Sequence, residues 1–191
     1  VNKVMFTENT VFDNPKANLY ISRKDAYSNV IDQLTPLLKD IEAFDALAKQ
    51  KKYDTHIKSG RFIIEKGMNN NTIINSLRSS NIPVRVSFNN QNDIEKLALR
   101  LSEQLDFSSN MFLESILDSS FLASNNFKKE TILGMFIPNS YDVYWNTTPE
   151  RFRQKMLKEY LKFWNTSRQD KAKQIGLSPL EVITLASIVQ E

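Results

Sequence analysis

"LYISRKDAYSNVIDQL", residues 19–34, opens on β-favouring side chains, passes through a polar stretch, and ends with apolar residues at helical spacing. The same plan returns in "GRFIIEKGMNNNTIINSL" at 60–77 and in "VRVSFNNQNDIEKLALRLSEQL" at 84–105. Each copy has Ser, Asp or Asn where a helix must begin, because their side-chain oxygens accept the first unpaired backbone N–H groups. The three stretches form a weak internal repeat of strand, polar loop and helix. Such units are common enough that they also resemble one another by chance.

Between the first two copies lies "IEAFDALAKQKKY" at 41–53, with Ile41, Phe44 and Leu47 near one helical face. A second helix there makes the first part strand, helix, helix, strand, a β-α-α-β unit over about residues 17–66, followed by a helix at about 71–80. From "PVRVSF" onward helices with long connections take over, so a boundary is placed near Ile82 and Pro83. The expected class is α+β, with one part at 1–82 that includes an N-terminal strand and a second, mainly helical part at 83–191.

The second part has a helix at about 93–105, shorter helices through "SNMFLESILDSS" and "LASNNF", and then "ETILGMFIPNSYDVYWNTTPERF" at 130–152. Thr148 and Pro149 start another helix, whose Phe152, Met156, Tyr160 and Phe163 form a stripe. Arg151, Arg153, Lys155, Lys158 and Lys162 fall mostly away from that stripe, as a solvated face does. In "SPLEVITLASIVQE" at 178–191, Ser178, Pro179 and Glu181 make a capping box with Pro in the first turn. Val182, Leu185, Ala186 and Val189 then mark a stripe that must pack on something. No stop signal closes this helix, and the expectation is that the chain is cut inside a core helix.

Hydrophobic residues at 41% and charged residues at 25% belong to a globular chain. No apolar run approaches the ~18 residues of a membrane span. "VNKVMFTENT" is no charged-then-apolar leader, so any signal or anchor is expected to have been removed or never to have existed. With 25 Lys and Arg against 22 Asp and Glu, the surplus is too small to imply nucleic acid unless it is concentrated. The absence of Cys excludes disulfides and thiolate metal sites, and fits a reducing cytosol and a bacterial envelope equally.

Phosphate-cradling and nucleophile-elbow motifs are absent, and four glycines leave little material for such loops. His56 is the single histidine, so a two-histidine metal site cannot form within the chain. The remaining chemistry lies in carboxylates and in "GMFIPNSYDVYW" at 134–145, where a Pro turn brings Asn139, Ser140, Tyr141, Asp142, Tyr144 and Trp145 together. Sugars bind to such mixtures, aromatic faces taking their C–H surfaces and amides or hydroxyls their hydroxyl groups. A structural turn packed with its own aromatics reads the same.

At these two places the chain resembles the MltG (YceG-like) endolytic murein transglycosylases. Members carry stretches like E-G-F-L-F-P-D-T-Y and L-A-S-I-V-E-K-E-T, which stand here as "LGMFIPNSY" at 133–141 and "LASIVQE" at 185–191. "SGRFII" at 59–64 is similar to the family's LysM-like subdomain, and "VRVSFNNQNDIEKLALRL" to the strand and helix after it. Gly134, Pro138 and Tyr141 stand as in the family, while Leu133, Asn139 and Ser140 replace its Glu, Asp and Thr.

The resemblance implies that one glutamate does the chemistry. It protonates the glycosidic oxygen between N-acetylmuramic acid and N-acetylglucosamine, then takes the proton of the muramic C6 hydroxyl, which closes a 1,6-anhydro ring. The paired carboxylates of ordinary glycosidases are therefore not required. The register places that acid immediately after Glu191, the last acid of the motif in this sequence and its catalytic candidate here. Glu191 itself shares a helical column with Thr184 and Ser187, whereas the next position follows Leu185, Ile188 and Val189, where desolvation raises a carboxyl pKa. Asn139, Ser140 and Tyr141 become substrate-binding candidates.

The family further implies no metal or organic cofactor, peptidoglycan strands and cell-wall synthesis proteins as partners, and no nucleic acid. It implies a place on the outer face of the bacterial cytoplasmic membrane, through an N-terminal helix not in this chain. One rival reading is a non-catalytic peptidoglycan-binding module. Another, a pyridoxal phosphate lyase, needs a Schiff-base Lys and a phosphate site, and the sequence offers neither.

Overall fold

The computed structural model describes residues 5–190, without the side chain of Gln190, so Glu191 lies outside the described residues. The fold is α+β, with nine helices and two small two-stranded sheets among the described residues. Two compact units divide the chain: Val1–Val84 with Tyr144–Asn146, and Arg85–Val143 with Thr147–Glu191.

The first unit is built on β1 (Lys16–Ile21) and β2 (Gly60–Glu65), which pair antiparallel with Leu19 opposite Phe62 and Ile21 opposite Gly60. Their side chains alternate, so Leu19, Ile21, Phe62 and Ile64 share the buried face. Helices α1 (Tyr27–Leu34), α2 (Ile41–Gln50) and α3 (Asn70–Ser79) supply Val30, Leu34, Phe44, Leu47, Ile73 and Leu77 to the same core. Each such side chain contributes about 1.5–3 kcal/mol on burial.

Caps set where two of these helices begin: Asp40 accepts from the Ala43 N–H and Asn69 from the Thr72 N–H, both at 2.9 Å. Ahead of β1, buried Asn9 pegs the leading segment in place. Its side chain donates to the Asp40 carbonyl and to Asn70 Oδ1, and accepts from the Asp40 N–H.

Tyr144–Asn146 belong to the first unit through a hydrogen-bonded knot. Asn146 Nδ2 donates to Ser59 Oγ at 2.8 Å, Asn81 Nδ2 donates to Asn146 Oδ1 at 3.1 Å, and Arg23 donates to the Asn146 carbonyl. Trp145 meets the Tyr20 ring edge-on at 5.1 Å.

In the second unit β3 (Val84–Phe88) pairs with β4 (Asn139–Val143). Gln104 stands in for a further strand, its amide accepting from the Ser87 N–H and donating to the Ser87 carbonyl, both at 3.0 Å. The helices are α4 (Ile94–Ser102), α5 (Ser109–Ile116), α6 (Ser119–Ser124), α7 (Pro149–Phe163), α8 (Thr166–Gln174) and α9 (Pro179–Gln190). Ser108, Asp118, Thr148 and Asn165 each cap a helix by accepting a backbone N–H. The core is aromatic, with Phe112 stacked on Phe107 and edge-on to Phe136 and Phe152.

Helix α7 corrects two expectations. Its buried stripe is Phe152, Met156 and Tyr160, but Trp164 then replaces the more exposed Phe163 at its inner end. Arg153 does not belong to a solvated face: its guanidinium lies 4.1 Å from the centroid of the Phe121 ring and donates to the Ser115 carbonyl. The carbons of a long Arg stem pack well while its head finds a ring and a carbonyl, so helical position alone did not expose it.

Candidate functional site

The second unit holds a cavity of about 520 Å³, within the range of about 300–1,000 Å³ typical of small-molecule sites. One side is the loop Asn89–Asn92, four consecutive amides between β3 and α4. That loop is fixed at both ends. Phe88 packs against Phe136 and stacks on Tyr141 at 5.7 Å, and Asp93 accepts from the Lys96 N–H as the α4 cap. The same N–H holds the Asp93 carboxyl below the usual carboxylate range.

Apolar lining comes from Leu97, Phe136, Ile137 and Phe163, and the wall opposite includes Ile183, Thr184 and Ser187 of α9. Glu130 is the one charged side chain of the lining among the described residues, and Lys, Arg and His are absent from it. The chemistry offered is that of a neutral, polar ligand with an apolar face.

How α9 reaches the cavity depends on Gly134. A Cβ there would stand 3.2 Å from Leu180 Cδ2 and 3.6 Å from Ile183 Cγ2, so the missing side chain is what lets the helix approach. The inward face is therefore Leu180 and Ile183. The sequence stripe through Leu185 and Val189 is corrected: these two are 50% and 78% exposed. The apolar residues of α9 lie on more than one side of it, so its own pattern does not select a face, and the neighbouring glycine selects it instead.

The start of α9 is the capping box expected from sequence. Ser178 N–H donates to Glu181 Oε2 at 2.7 Å, and Glu181 N–H donates to Ser178 Oγ at 3.3 Å. The bond from the Ser178 backbone lowers the Glu181 pKa. A folded pKa below the unfolded one stabilises above the unfolded value, and that contribution is lost as pH falls through the folded one. Amide exchange in the first turn of α9 is accordingly expected to speed up, beyond the intrinsic rate change, as pH drops below about 4. Glu181→Gln should remove this pH dependence. An unchanged acid response in that variant would assign it to another group.

Of the residues singled out from sequence, Asn139 and Ser140 are exposed, with the Ser140 N–H donating to Asn139 Oδ1 at 2.8 Å. Tyr141 is 7% exposed and does not line the cavity. Its ring packs on Phe88 and its hydroxyl donates to the Ile137 carbonyl, closing the turn through Pro138. Burial raises the Tyr141 pKa, as does the nearby Glu159. Tyr141 thus positions the turn and the strand end that carries the amide loop. Glu191 lies outside the described residues. His56 is exposed, and its Nδ1 lies 2.8 Å from Thr55 Oγ1 and 3.0 Å from the Lys52 carbonyl. Sequence reading missed the amide loop as a site, although "NNQN" between a strand and a helix was the visible signal. It also missed Phe163 as a lining residue, because it had been assigned to the core.

Fold and cavity together define an α+β protein with a β-α-α-β unit and a second unit that holds an amide-rimmed pocket with Glu130 in its lining. The YceG-like family model matches residues 19–191, and the chain belongs to that family. A crystal structure of a protein described as yceG-like, from Listeria monocytogenes, superposes with a TM-score of 0.52 at 18% identity. The match covers 93% of this chain and 64% of that one, so the chain spans under two thirds of its length, and at this identity the likeness is one of fold. No curated protein matches the chain.

Proposed function

We propose that this chain is part of a lytic transglycosylase that cuts peptidoglycan glycan strands internally, between N-acetylmuramic acid and N-acetylglucosamine, leaving 1,6-anhydro ends. The observation that carries the reading is that α9, which bears the family-like "LASIVQE", forms a wall of the cavity. On the family's register the acid is a glutamate following Glu191, at the helical position after Leu185 and Ile188, and it gives its proton to the glycosidic oxygen. After protonating the leaving oxygen, the same group is the base for the C6 hydroxyl. Asn139 and Ser140 extend the polar surface beside the cavity for substrate hydroxyls.

The first unit, an antiparallel strand pair with two intervening helices, is read as LysM-like and as a holder of glycan strands. On the family's plan the protein works at the outer face of the cytoplasmic membrane, alongside cell-wall synthesis proteins. Among the described residues no single helix is long and apolar enough to cross a membrane.

The test uses purified sacculi and mass spectrometry of the products. The 191-residue chain should bind sacculi. A chain extended by a glutamate after Glu191 should release 1,6-anhydro muropeptides, lose that activity when the added residue is Gln, and keep it on Glu191→Gln. Binding without any anhydro product from the extended chain would leave a peptidoglycan-binding module. Loss of activity on Glu191→Gln alone would make Glu191 the acid.

A further inference from the structure

The outer face of α7 carries charge that nothing in the molecule neutralises. Arg151, Lys155, Lys158 and Lys162 follow one another at spacings of four, three and four residues, which at about 100° per residue gathers them within about 60° of arc along about 16 Å of helix. The buried residues Phe152, Met156 and Tyr160 centre about 130° away. Three of the four cations are exposed and Lys155 is half-buried. Among the described residues none of these four side chains has an ion-pair or hydrogen-bond partner, whereas the surface cations Lys16, Lys49 and Lys66 reach acids at 3.5, 2.7 and 3.7 Å. Glu159, one turn beyond Lys155, lies instead close enough to Tyr141 to raise its pKa.

The small overall surplus conceals this concentration. Residues 151–173 hold eight Lys and Arg against Glu159 and Asp170, a net +6 in a chain whose total is +3. The remainder of the chain is therefore net acidic, and the positive field belongs to this segment.

The neighbours of the stripe say which anion it suits. Leu161 is 59% exposed and stands within one turn of both Lys158 and Lys162. A leucine held among lysines is what an interfacial helix presents to lipid, the cations meeting phosphates while the apolar side chain passes between headgroups. Nucleic acid is met instead by aromatic stacking platforms, and the stripe includes no aromatic residue.

We infer that the four-cation stripe of α7, with Leu161 at its edge, is a docking surface for a bilayer that carries anionic phospholipid headgroups. This rests on the membrane-face placement proposed above and goes beyond it by naming the residues that meet the lipid. Each cation near an anionic surface is worth about a fivefold gain in partitioning, so the stripe alone holds the protein weakly. In a protein tethered to the same membrane the high local concentration turns that weak contact into a preferred orientation.

The experiment is sedimentation of the 191-residue protein with vesicles of phosphatidylcholine, with and without phosphatidylglycerol, beside the sacculus pull-down. Binding should require phosphatidylglycerol and fall steeply with added salt. Arg151→Gln with Lys158→Gln should weaken it about 25-fold, whereas Lys16→Gln with Lys66→Gln, which removes the same net charge elsewhere, should change it by less than about twofold. Leu161→Ser should weaken it about fivefold. Equal binding to both vesicle types, no binding to either, or equal losses from the two double variants would each overturn the inference. So would vesicle binding untouched by Leu161→Ser, which would make the stripe a contact for any polyanion. Loss of sacculi rather than vesicles on Arg151→Gln with Lys158→Gln would assign the cations to carboxylates of the wall and overturn it as well. The lipid dependence needs only the parent protein, so a poorly folding variant does not stall it. Sacculi retained by a parent that ignores vesicles would leave the glycan-strand reading standing while the surface fails. Sacculi lost while vesicles still bind would remove that reading and leave the surface.

Discussion

Phe112→Ala is expected to destabilise the second unit by about 3–5 kcal/mol, the cost of removing a fully buried aromatic ring whose surroundings cannot collapse into the space. The ring is 0% exposed and touches three others, parallel to Phe107 at 5.7 Å and edge-on to Phe136 at 5.6 Å and Phe152 at 6.0 Å. It therefore joins α5, α7 and the cavity lining at a single point. Phe112→Leu keeps most of the volume and should lose less than half as much. Hydrogen exchange read residue by residue is the right measurement, because two compact units need not unfold as one. Protection should fall in α5 and α7 and change little in β1 and β2. A uniform loss over both units would show that they unfold together, and a loss below about 1 kcal/mol would mean that the aromatic cluster repacks around the gap.

Much of the fold was legible because it is local. Alternation at Leu19, Ile21, Phe62 and Ile64 gives the paired strands, and the spacing of Phe44 and Leu47 gives α2. Caps at Asp40, Asn69, Asp93 and Thr148 lie where Asn, Asp or Thr precedes an apolar pattern. The site was less legible. The family-like "PNSY" at 138–141 makes Tyr141 a substrate-binding candidate, yet it sits on β4, where the buried positions are Tyr141 and Val143 and Asp142 is exposed. That alternation was present in the sequence, but the adjoining Pro and Asn made the segment look like a turn. The face of α9 could not be read from α9 at all, because Gly134 on another element decides it. Asn146 has no local pattern, and its partners Arg23, Ser59 and Asn81 are distant in sequence.

That knot gives the second large expected effect. Gly60→Ala should cost on the order of 2–5 kcal/mol, from a backbone conformation that side chains rarely adopt and from the loss of half-buried hydrogen bonds. Gly60 has φ +146°, and a Cβ built there would stand 2.4 Å from Asn81 Oδ1. Asn81 cannot yield without loss, since Oδ1 accepts from the Arg61 N–H at 3.1 Å and Nδ2 donates to Asn146 Oδ1 at 3.1 Å. Displacing it also disturbs Asn146, which donates to Ser59 beside the substituted glycine. The strain and the collision can be separated by a double-mutant cycle. If the collision dominates, Asn81→Gly relieves most of the Gly60→Ala penalty, and the pair costs less than the sum of the two single changes measured by denaturation. Additive costs would mean that the backbone angle alone sets the penalty and that Asn81 moves aside freely. Gly60→Ala tolerated within about 0.5 kcal/mol would show that β2 can begin with another backbone geometry, and the role assigned to this glycine would fall.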